Sequence, residues 1–500
     1  MKKKPIKIAT FAIAAALCGT SFAGDSRDGI QQAASAGAFA DPTGIIETVT
    51  ASGTIDTTGA FFQSLGTNGR SCATCHVTAQ AFGLSAAGAR ERFAATRGKD
   101  PLFAAVDGAN CPSGRPDNAA DHSLLLRSGL IRVSITLPAS AQFTISVVHD
   151  PYGCAMLPDP SGQPIVSVYR RPLPTTNLSF LSAVMFDGRQ TVTPLTNNAT
   201  FLPNLVTDLT HQAISATLGH AQAAQAPTDS QLSDIVNFEL GLFTAQRRDR
   251  LAGDLTQAGA HGGAAYLAGQ TYYPGINDSL GMDPSGVPFN SSSMTLFSAW
   301  GALSAANAGT PAGALTNAVR RAIAAGESLF NTFPITITNV RGLNDNPALG
   351  KPGAFVGHCT TCHDAPNVGD HSLPLPLDIG TAHSPLPSLE TDTAIAAGVG
   401  ELSMPDLPVF LVSGCPNPFN PGQPESFYTS DPGKALVTGQ CADFNRIKGP
   451  ILRGLAARAP YFHNGAAANL LELVNFYNER FQMGLTLTQK VQLVAFLNSL

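Results

Sequence analysis

Cys72-Ala73-Thr74-Cys75-His76 and Cys359-Thr360-Thr361-Cys362-His363 are two copies of one pattern, C-x-x-C-H, in a chain of 500 residues. That pattern is the attachment sequence of a c-type haem. Two thiols on one short turn can bond along one edge of a porphyrin, and the next residue then carries its imidazole to the iron. The competing reading is two unrelated structural cysteine pairs, or a reduced dithiol. A histidine in both copies favours two covalently bound haem c groups. The expected metal ligands are His76 and His363, and the expected attachment residues are Cys72, Cys75, Cys359 and Cys362.

The chain begins Met1-Lys2-Lys3-Lys4, runs apolar from Ile8 to Leu17 and reaches Ser21-Phe22-Ala23. A charged head, a short apolar core and a small-x-small end predict a signal peptide over residues 1–23 and a periplasmic or secreted location. The run is too short to span a bilayer, and no later stretch is long and apolar enough, so no membrane span is expected. Cleavage would remove four lysines and no acidic residue, taking the formal net charge from −5 to −9. Beyond the leader, basic runs are no longer than pairs such as Arg170-Arg171 and Arg247-Arg248, so no nucleic-acid partner is expected. An acidic surface suits a basic, soluble redox partner protein. Of nine cysteines, Cys18 lies in the leader and four in the motifs. Cys111, Cys154, Cys415 and Cys441 remain and allow three pairings; proximity favours Cys111–Cys154 and Cys415–Cys441.

The motif surroundings also repeat. Gln231 to Leu240 and Gln489 to Leu497 both read as amphipathic helices behind Thr/Asp/Ser capping candidates, Thr228 to Ser230 and Thr486 to Thr488. Asn317 to Phe330 reads as a helix leading to the second motif, and Gly59 to Leu65 as a shorter one before the first. The expected fold class is mainly α: two cytochrome c-like helical domains with long loop and β-hairpin insertions. Their expected extents are 24–250 and 313–500, with 251–312 as an inter-domain segment. Residues 24–58 read as an irregular arm. Ile131 to Leu137 and Phe143 to Val147 alternate apolar and polar residues and read as a β-hairpin. Residues 405–448 read as a loop held by a disulfide.

Four further blocks carry a resemblance: Arg171-Pro172-Leu173-Pro174-Thr175, Met185-Phe186-Asp187-Gly188-Arg189, Lys448-Gly449-Pro450-Ile451-Leu452-Arg453-Gly454 and Ala459-Pro460-Tyr461-Phe462-His463-Asn464-Gly465. With both C-x-x-C-H motifs they resemble the bacterial di-haem cytochrome c peroxidase family, which includes the MauG-type enzymes. The resemblance implies a peroxidatic N-terminal haem and an electron-transfer C-terminal haem. It places the distal ligand of the latter fourteen residues after the P-Y-F-H histidine, which is Tyr477; Met404 and Met483 are the alternatives. A phenolate would lower that haem's potential relative to methionine. It also implies a glutamine over the peroxide side, matched by Gln212, and a glutamate ten residues later, where Gln222 stands. His220 is the nearby titratable residue, as replacement acid–base, as iron ligand, or as a helix-face histidine bonded to a carbonyl. His211 reads as structural.

The family's F-W-D-G-R tryptophan is Phe186 here. The threonine whose carbonyl serves an inter-haem calcium is Arg458, and a guanidinium beside Ca²⁺ is repulsive, which weakens the expectation of calcium. Asp187 and Arg189 read as a turn ion pair, and Arg453 as a cofactor-binding partner for a haem propionate. Trp300, the only tryptophan, either bridges the haems or packs in a core. The leading functional expectation is a peroxidase-like oxidoreductase acting on hydrogen peroxide or another small oxidant, with His220 and Gln212 as catalytic residues. Oxidation of an organic or protein substrate, as in MauG-type enzymes and di-haem rubber oxygenases, is the enzymatic alternative. A non-catalytic electron-transfer cytochrome is the other.

Overall fold

The computed structural model describes residues 34–304, 309–382, 404–420, 422 and 424–500. The expected signal peptide lies outside them. Twelve strands are named here: β1 Ala34–Ala40, β2 Gly44–Thr50, β3 Ile131–Thr136, β4 Thr144–His149, β5 Met156–Pro158, β6 Pro164–Arg170, β7 Phe243–Asp249, β8 Gly253–Asp254, β9 Ile335–Thr338, β10 Ala354–Gly357, β11 Val409–Pro416 and β12 Pro424–Thr429. The helices of eight or more residues are α1 Ala86–Thr96, α2 Phe201–Gly219, α3 Asp229–Leu240, α4 Pro311–Thr332, α5 Leu470–Arg480 and α6 Leu487–Asn498.

The expectation of a mainly α chain is overturned. Helix accounts for 32% of the structure and strand for 17%, the latter in several small sheets. Their orders are β1-β2-β7-β8, β10-β9, β12-β11-β4 and β3-β6-β5. Part of the supposed arm forms β1 and β2, where Ile45, Ile46, Thr48 and Val49 supply β-branched residues. Asp41 shapes the turn between them, its carboxylate accepting from the Thr43 and Gly44 amides at 2.7 and 2.9 Å. The expected hairpin is not one. β3 pairs with β6, whereas β4 crosses to the C-terminal half and pairs with β11. Alternation reveals a strand but not its partner, and the Pro138 to Ala141 connection sends the two strands to different sheets. The supposed loop at 405–448 contains β11 and β12, paired antiparallel.

Cys111 is bonded to Cys154 and Cys415 to Cys441, with Cα separations of 5.9 and 5.6 Å. The helix at the first motif's approach shrinks to one tight turn, Ala60–Phe62. Residues 251–304 are part of the cores rather than a spacer: Leu255, Phe297 and Trp300 pack with α4 and α6, and Leu267 and Tyr272 with α2. Trp300 is fully buried, donates Nε1–H to the Gln257 carbonyl at 2.9 Å and lies under the Arg320 guanidinium at 5.0 Å. Among the described residues no helix is long and apolar enough to cross a membrane.

The closing helices α3 and α6 start identically, with reciprocal capping boxes between Thr228 and Gln231 and between Thr486 and Gln489. Each packs against the half that holds a motif: α3 on α2 and the Phe61 cluster, α6 on α4. The α4–α6 crossing depends on Gly326, where an added Cβ would stand 2.0 Å from the Gln492 carbonyl oxygen. Alanine would improve helix propensity there by about 1 kcal/mol, while overpacking against backbone costs about 1–3 kcal/mol. Gly326→Ala should therefore lower the midpoint of thermal unfolding, and Gly326→Val should lower it further.

Candidate haem sites

Both C-x-x-C-H motifs fold into the same turn. Cys72–Thr74 and Cys359–Thr361 are single tight helical turns, closed by capping boxes from Ser71 and His358 to the threonine at the third position. Ser71 and His358 donate their amides to Thr74 and Thr361 Oγ1 at 3.0 and 2.8 Å. The His76 and His363 amides donate to the Cys72 and Cys359 carbonyls at 3.0 and 3.1 Å. The four motif thiols are free. Burial pushes them up to about 12, 11, 12 and 12 for Cys72, Cys75, Cys359 and Cys362. A redox dithiol or a thiolate metal site requires the opposite shift.

The imidazoles are set the same way twice. His76 Nδ1 donates to the Phe82 carbonyl at 3.3 Å, and His363 Nδ1 to the Gly369 carbonyl at 2.6 Å, each acceptor six residues downstream. Burial lowers both rings to about 4, so they are neutral at ordinary pH. Nδ1–H engaged by a carbonyl leaves the Nε2 lone pair for a metal, the arrangement expected of a ligating histidine.

Each motif opens into a cavity, of about 1400 Å³ at the first and about 1950 Å³ at the second, counting the open mouths. The two cavities share a wall of Pro172, Leu173, Pro174, Lys448, Pro450 and Ile451. Prolines suit that position, because a segment running between two apolar spaces has few partners for an amide N–H and proline has none to satisfy. Two blocks that carry the family resemblance thus meet as the partition.

The roof of the first cavity is one stripe of α2: Leu209, Gln212, Ala213, Ala216 and Thr217, with His220 just past the helix end. His220 Nδ1 is hydrogen-bonded to Asp107, and the other oxygen of Asp107 is bonded to Arg70. Arg70 also donates to the His220 carbonyl at 3.2 Å and to the Pro101 carbonyl at 2.7 Å. Burial alone would raise the Asp107 carboxyl; His220 and Arg70 outweigh it and hold the group below its usual range. His211 is exposed. Gln222 lines neither cavity, and its side chain accepts from Asn68 at 3.3 Å. Glu239 also lines the first cavity, with Oε2 unpartnered, and burial pushes it up to about 8.

The second cavity is lined instead by His463, whose Nε2 stands 3.5 Å from the Arg170-bound Asp431 without closing a hydrogen bond. Tyr477 faces the cavity alongside Phe462, Phe481 and Met483, and burial drives the phenol upward. Met404 packs elsewhere, beside Leu124, Leu130 and Leu407. Phe186 lines this cavity too, its ring 6.1 Å from that of His463. Asp187 is bonded to Arg189 at 2.8 Å and also to Arg170, which reaches Asp431 at 2.6 Å.

The cationic residues at the second cavity differ from the one sequence singled out. Arg453 lines neither cavity and donates to the Asn367 and Gly263 carbonyls at 3.1 and 3.4 Å. Arg458 does line the second, with Nε and Nη2 buried and unpartnered. Burial lowers it to about 9. A buried guanidinium without an anion is what a carboxylate-bearing occupant such as haem would satisfy, so the residues present fit that group. The Arg458 carbonyl accepts from Arg171 Nη2 at 3.0 Å, so the oxygen expected to serve calcium already faces a guanidinium.

One buried cluster behind the second motif has metal-ligand composition: Asp278, Asp364 and His371. The Leu373 amide donates to His371 Nδ1 at 3.2 Å, which places the neutral ring's proton on Nε2, facing Asp364 and Asp278 at 3.5 and 3.9 Å. A protonated Nε2 has no lone pair for a metal; the Asp278 turn is tied to the motif by its neighbours Asn277 and Ser279, which donate to the Asp364 and Thr361 carbonyls at 3.0 and 2.7 Å.

Sequence reasoning missed Asp107 and Arg70. Arg70 stands two residues before Cys72, but Asp107 is 113 positions from His220, and nothing local announces that contact. Replacing Arg70 with methionine leaves a buried carboxylate with only His220. By removing one partner of a buried pair it should cost about 3–5 kcal/mol. The test is urea unfolding, and Arg70→Met combined with Asp107→Asn should recover most of the loss.

No protein-family model matches the chain. It is 31% identical over 156 residues to a protein named cytochrome-c peroxidase IdrP2 from Denitromonas iodatirespirans. The aligned stretch is 29% of this chain and spans about a third, 36%, of that relative's length.

Proposed function

We propose that the chain is an exported, divergent di-haem cytochrome c peroxidase that acts on hydrogen peroxide or another small oxidant at its first cavity. Electrons reach it from a soluble redox partner protein through the second. The observation that carries this reading is an asymmetry. The same motif and the same imidazole geometry occur twice, but at the first cavity a lining histidine is hydrogen-bonded to an Arg-paired aspartate, whereas at the second the lining His463 stands 3.5 Å from Asp431 with no hydrogen bond between them. The similarity to a named cytochrome-c peroxidase supports the same reaction class.

A bound haem would supply the redox-active iron, held by Cys72, Cys75 and His76 in one cavity and by Cys359, Cys362 and His363 in the other. The remaining chemistry belongs to the chain. Asp107 takes up His220 Nδ1–H, which leaves Nε2 as the proton-accepting atom. His220 would take a proton from one peroxide oxygen at Nε2 and deliver it to the other, the work that cleavage of the O–O bond requires. Gln212, on the same roof, would donate its amide to the incoming oxidant. In the second cavity Tyr477 would help hold the iron, and as a hard anionic donor it would keep its potential low. Apolar roof residues Leu209, Ala213 and Ala216 favour a second reading, in which an organic co-substrate enters the same cavity.

The deciding experiment is the ferric absorption and electron paramagnetic resonance spectrum of the purified chain, together with its haem content. Two haems with a high-spin component that responds to peroxide support the enzyme; two low-spin haems inert to peroxide leave an electron carrier. His220→Ala should lower kcat/KM for peroxide by about 10²–10⁴-fold while the resting spectrum is kept. Asp107→Asn should lower it less. Tyr477→Met should raise the potential of the C-terminal haem, read by spectroelectrochemical titration.

A further inference from the structure

The partition between the two cavities contains one cation. Lys448 is buried, lines both spaces, and is fixed at its backbone by an amide donating to the Phe186 carbonyl at 2.8 Å. The residues on either side add to that fixation. Ile447 exchanges two hydrogen bonds with Leu377 at 3.0 and 3.1 Å, and Pro450 stiffens the chain beyond Gly449. The other guanidinium groups along these walls face one cavity each: Arg70 the first, Arg171 and Arg458 the second. Arg70 is neutralised by Asp107, and Arg171 is satisfied by the Ser128, Leu84 and Arg458 carbonyls.

Lys448 has no comparable partner. The carboxyl that acts on it is Asp370, buried like it, and the two close no ion pair within 4 Å. Both Asp370 oxygens lack a hydrogen-bond partner. A buried ammonium with no anion closing on it is costly and becomes tolerable when a cavity beside it holds negative charge; burial drives the Asp370 carboxyl well up, toward its neutral form, so it does not supply that charge. Burial pulls the ammonium down to about 8 while Asp370 pulls it up.

We propose that Lys448 is a shared cation for the two haem sites, one fixed charge that faces the acidic groups of both occupants and sets both reduction potentials together. The inference rests on the di-haem reading above. Its physical content is Coulombic. Reduction adds an electron to an iron, so a nearby positive charge favours the reduced form, and in a low-dielectric partition that influence reaches both sides. Removing the charge should make both sites harder to reduce.

The test is a spectroelectrochemical titration of the full chain, after haem content has been measured by the pyridine haemochrome method. In Lys448→Met both midpoint potentials should move to more negative values, and in Lys448→Arg both should stay near those of the unmodified protein. Lys448→Gln removes the charge and keeps a polar side chain, so it should move both potentials in the same negative direction. That variant also supplies the readout should Lys448→Met fail to accumulate. Arg458→Met, facing the second cavity alone, should shift the C-terminal haem and leave the other. Two haems with one potential or neither responding to Lys448→Met and Lys448→Gln overturns the shared cation and leaves the di-haem reading standing. Fewer than two haems per chain overturns both.

Discussion

A histidine can offer Nε2 to a metal only if its other nitrogen holds the proton, and here a backbone carbonyl six residues downstream secures that at both His76 and His363. The rest of the architecture follows from placing this device twice inside apolar space. Burial keeps the rings neutral and the neighbouring thiols protonated. It also forces the chain between the cavities to be poor in amide donors, hence Pro172, Pro174 and Pro450. The same turn with the same capping contacts gives both cavities two thiols on one side and one imidazole aimed inward, the set that a covalently attached haem would use.

What lies opposite each ring separates the two sites. Over the first, a carboxylate clamped by Arg70 holds an imidazole in one tautomer. Over the second stand a phenol, a thioether and aromatic rings. Proton handling at one face and electron handling at the other is the division of labour that these residue types allow. His220 combines a buried partner with a side chain about two-fifths exposed, as a proton shuttle between solvent and cavity needs.

Local features were legible in the sequence and long-range ones were not. The turns of C-x-x-C-H, the capping boxes of α3 and α6 and the helix before the second motif are written in residues within four positions of one another. Gln212 and His220 came into view through the family resemblance, which supplied the glutamine and the place where a glutamate is missing; both line the first cavity. Sheet partners were not: β4 alternates as clearly as β3, yet its partner is β11, more than two hundred residues away. Short strands of this kind leave little periodic trace, which is why a chain read as mainly α carries several sheets. Asp107 shows the same limit at the level of chemistry. Arg453 was misplaced for a related reason: a motif names an arginine, but only packing decides which guanidinium reaches a cavity and which ends on carbonyls.

The junction of the two halves is held by groups the chain itself supplies. Arg171 spans it, with Nη1 on the Ser128 carbonyl, Nη2 on the carbonyls of Leu84 and Arg458, and its amide on the His463 carbonyl at 2.7 Å. Its neighbour Arg170 joins Asp187 to Asp431 across the same boundary, and β4 adds backbone pairing with β11. Guanidinium groups have fixed planar donors that cannot retreat into solvent once buried, so they lock the relative position of the elements they bridge. On the di-haem proposal the shared partition needs that rigidity, because small displacements of its charges would move both potentials at once. Arg170 and Arg171 are adjacent at the end of β6, so a single strand end positions the Pro-rich wall, the Asp187 turn and the P-Y-F-H loop together.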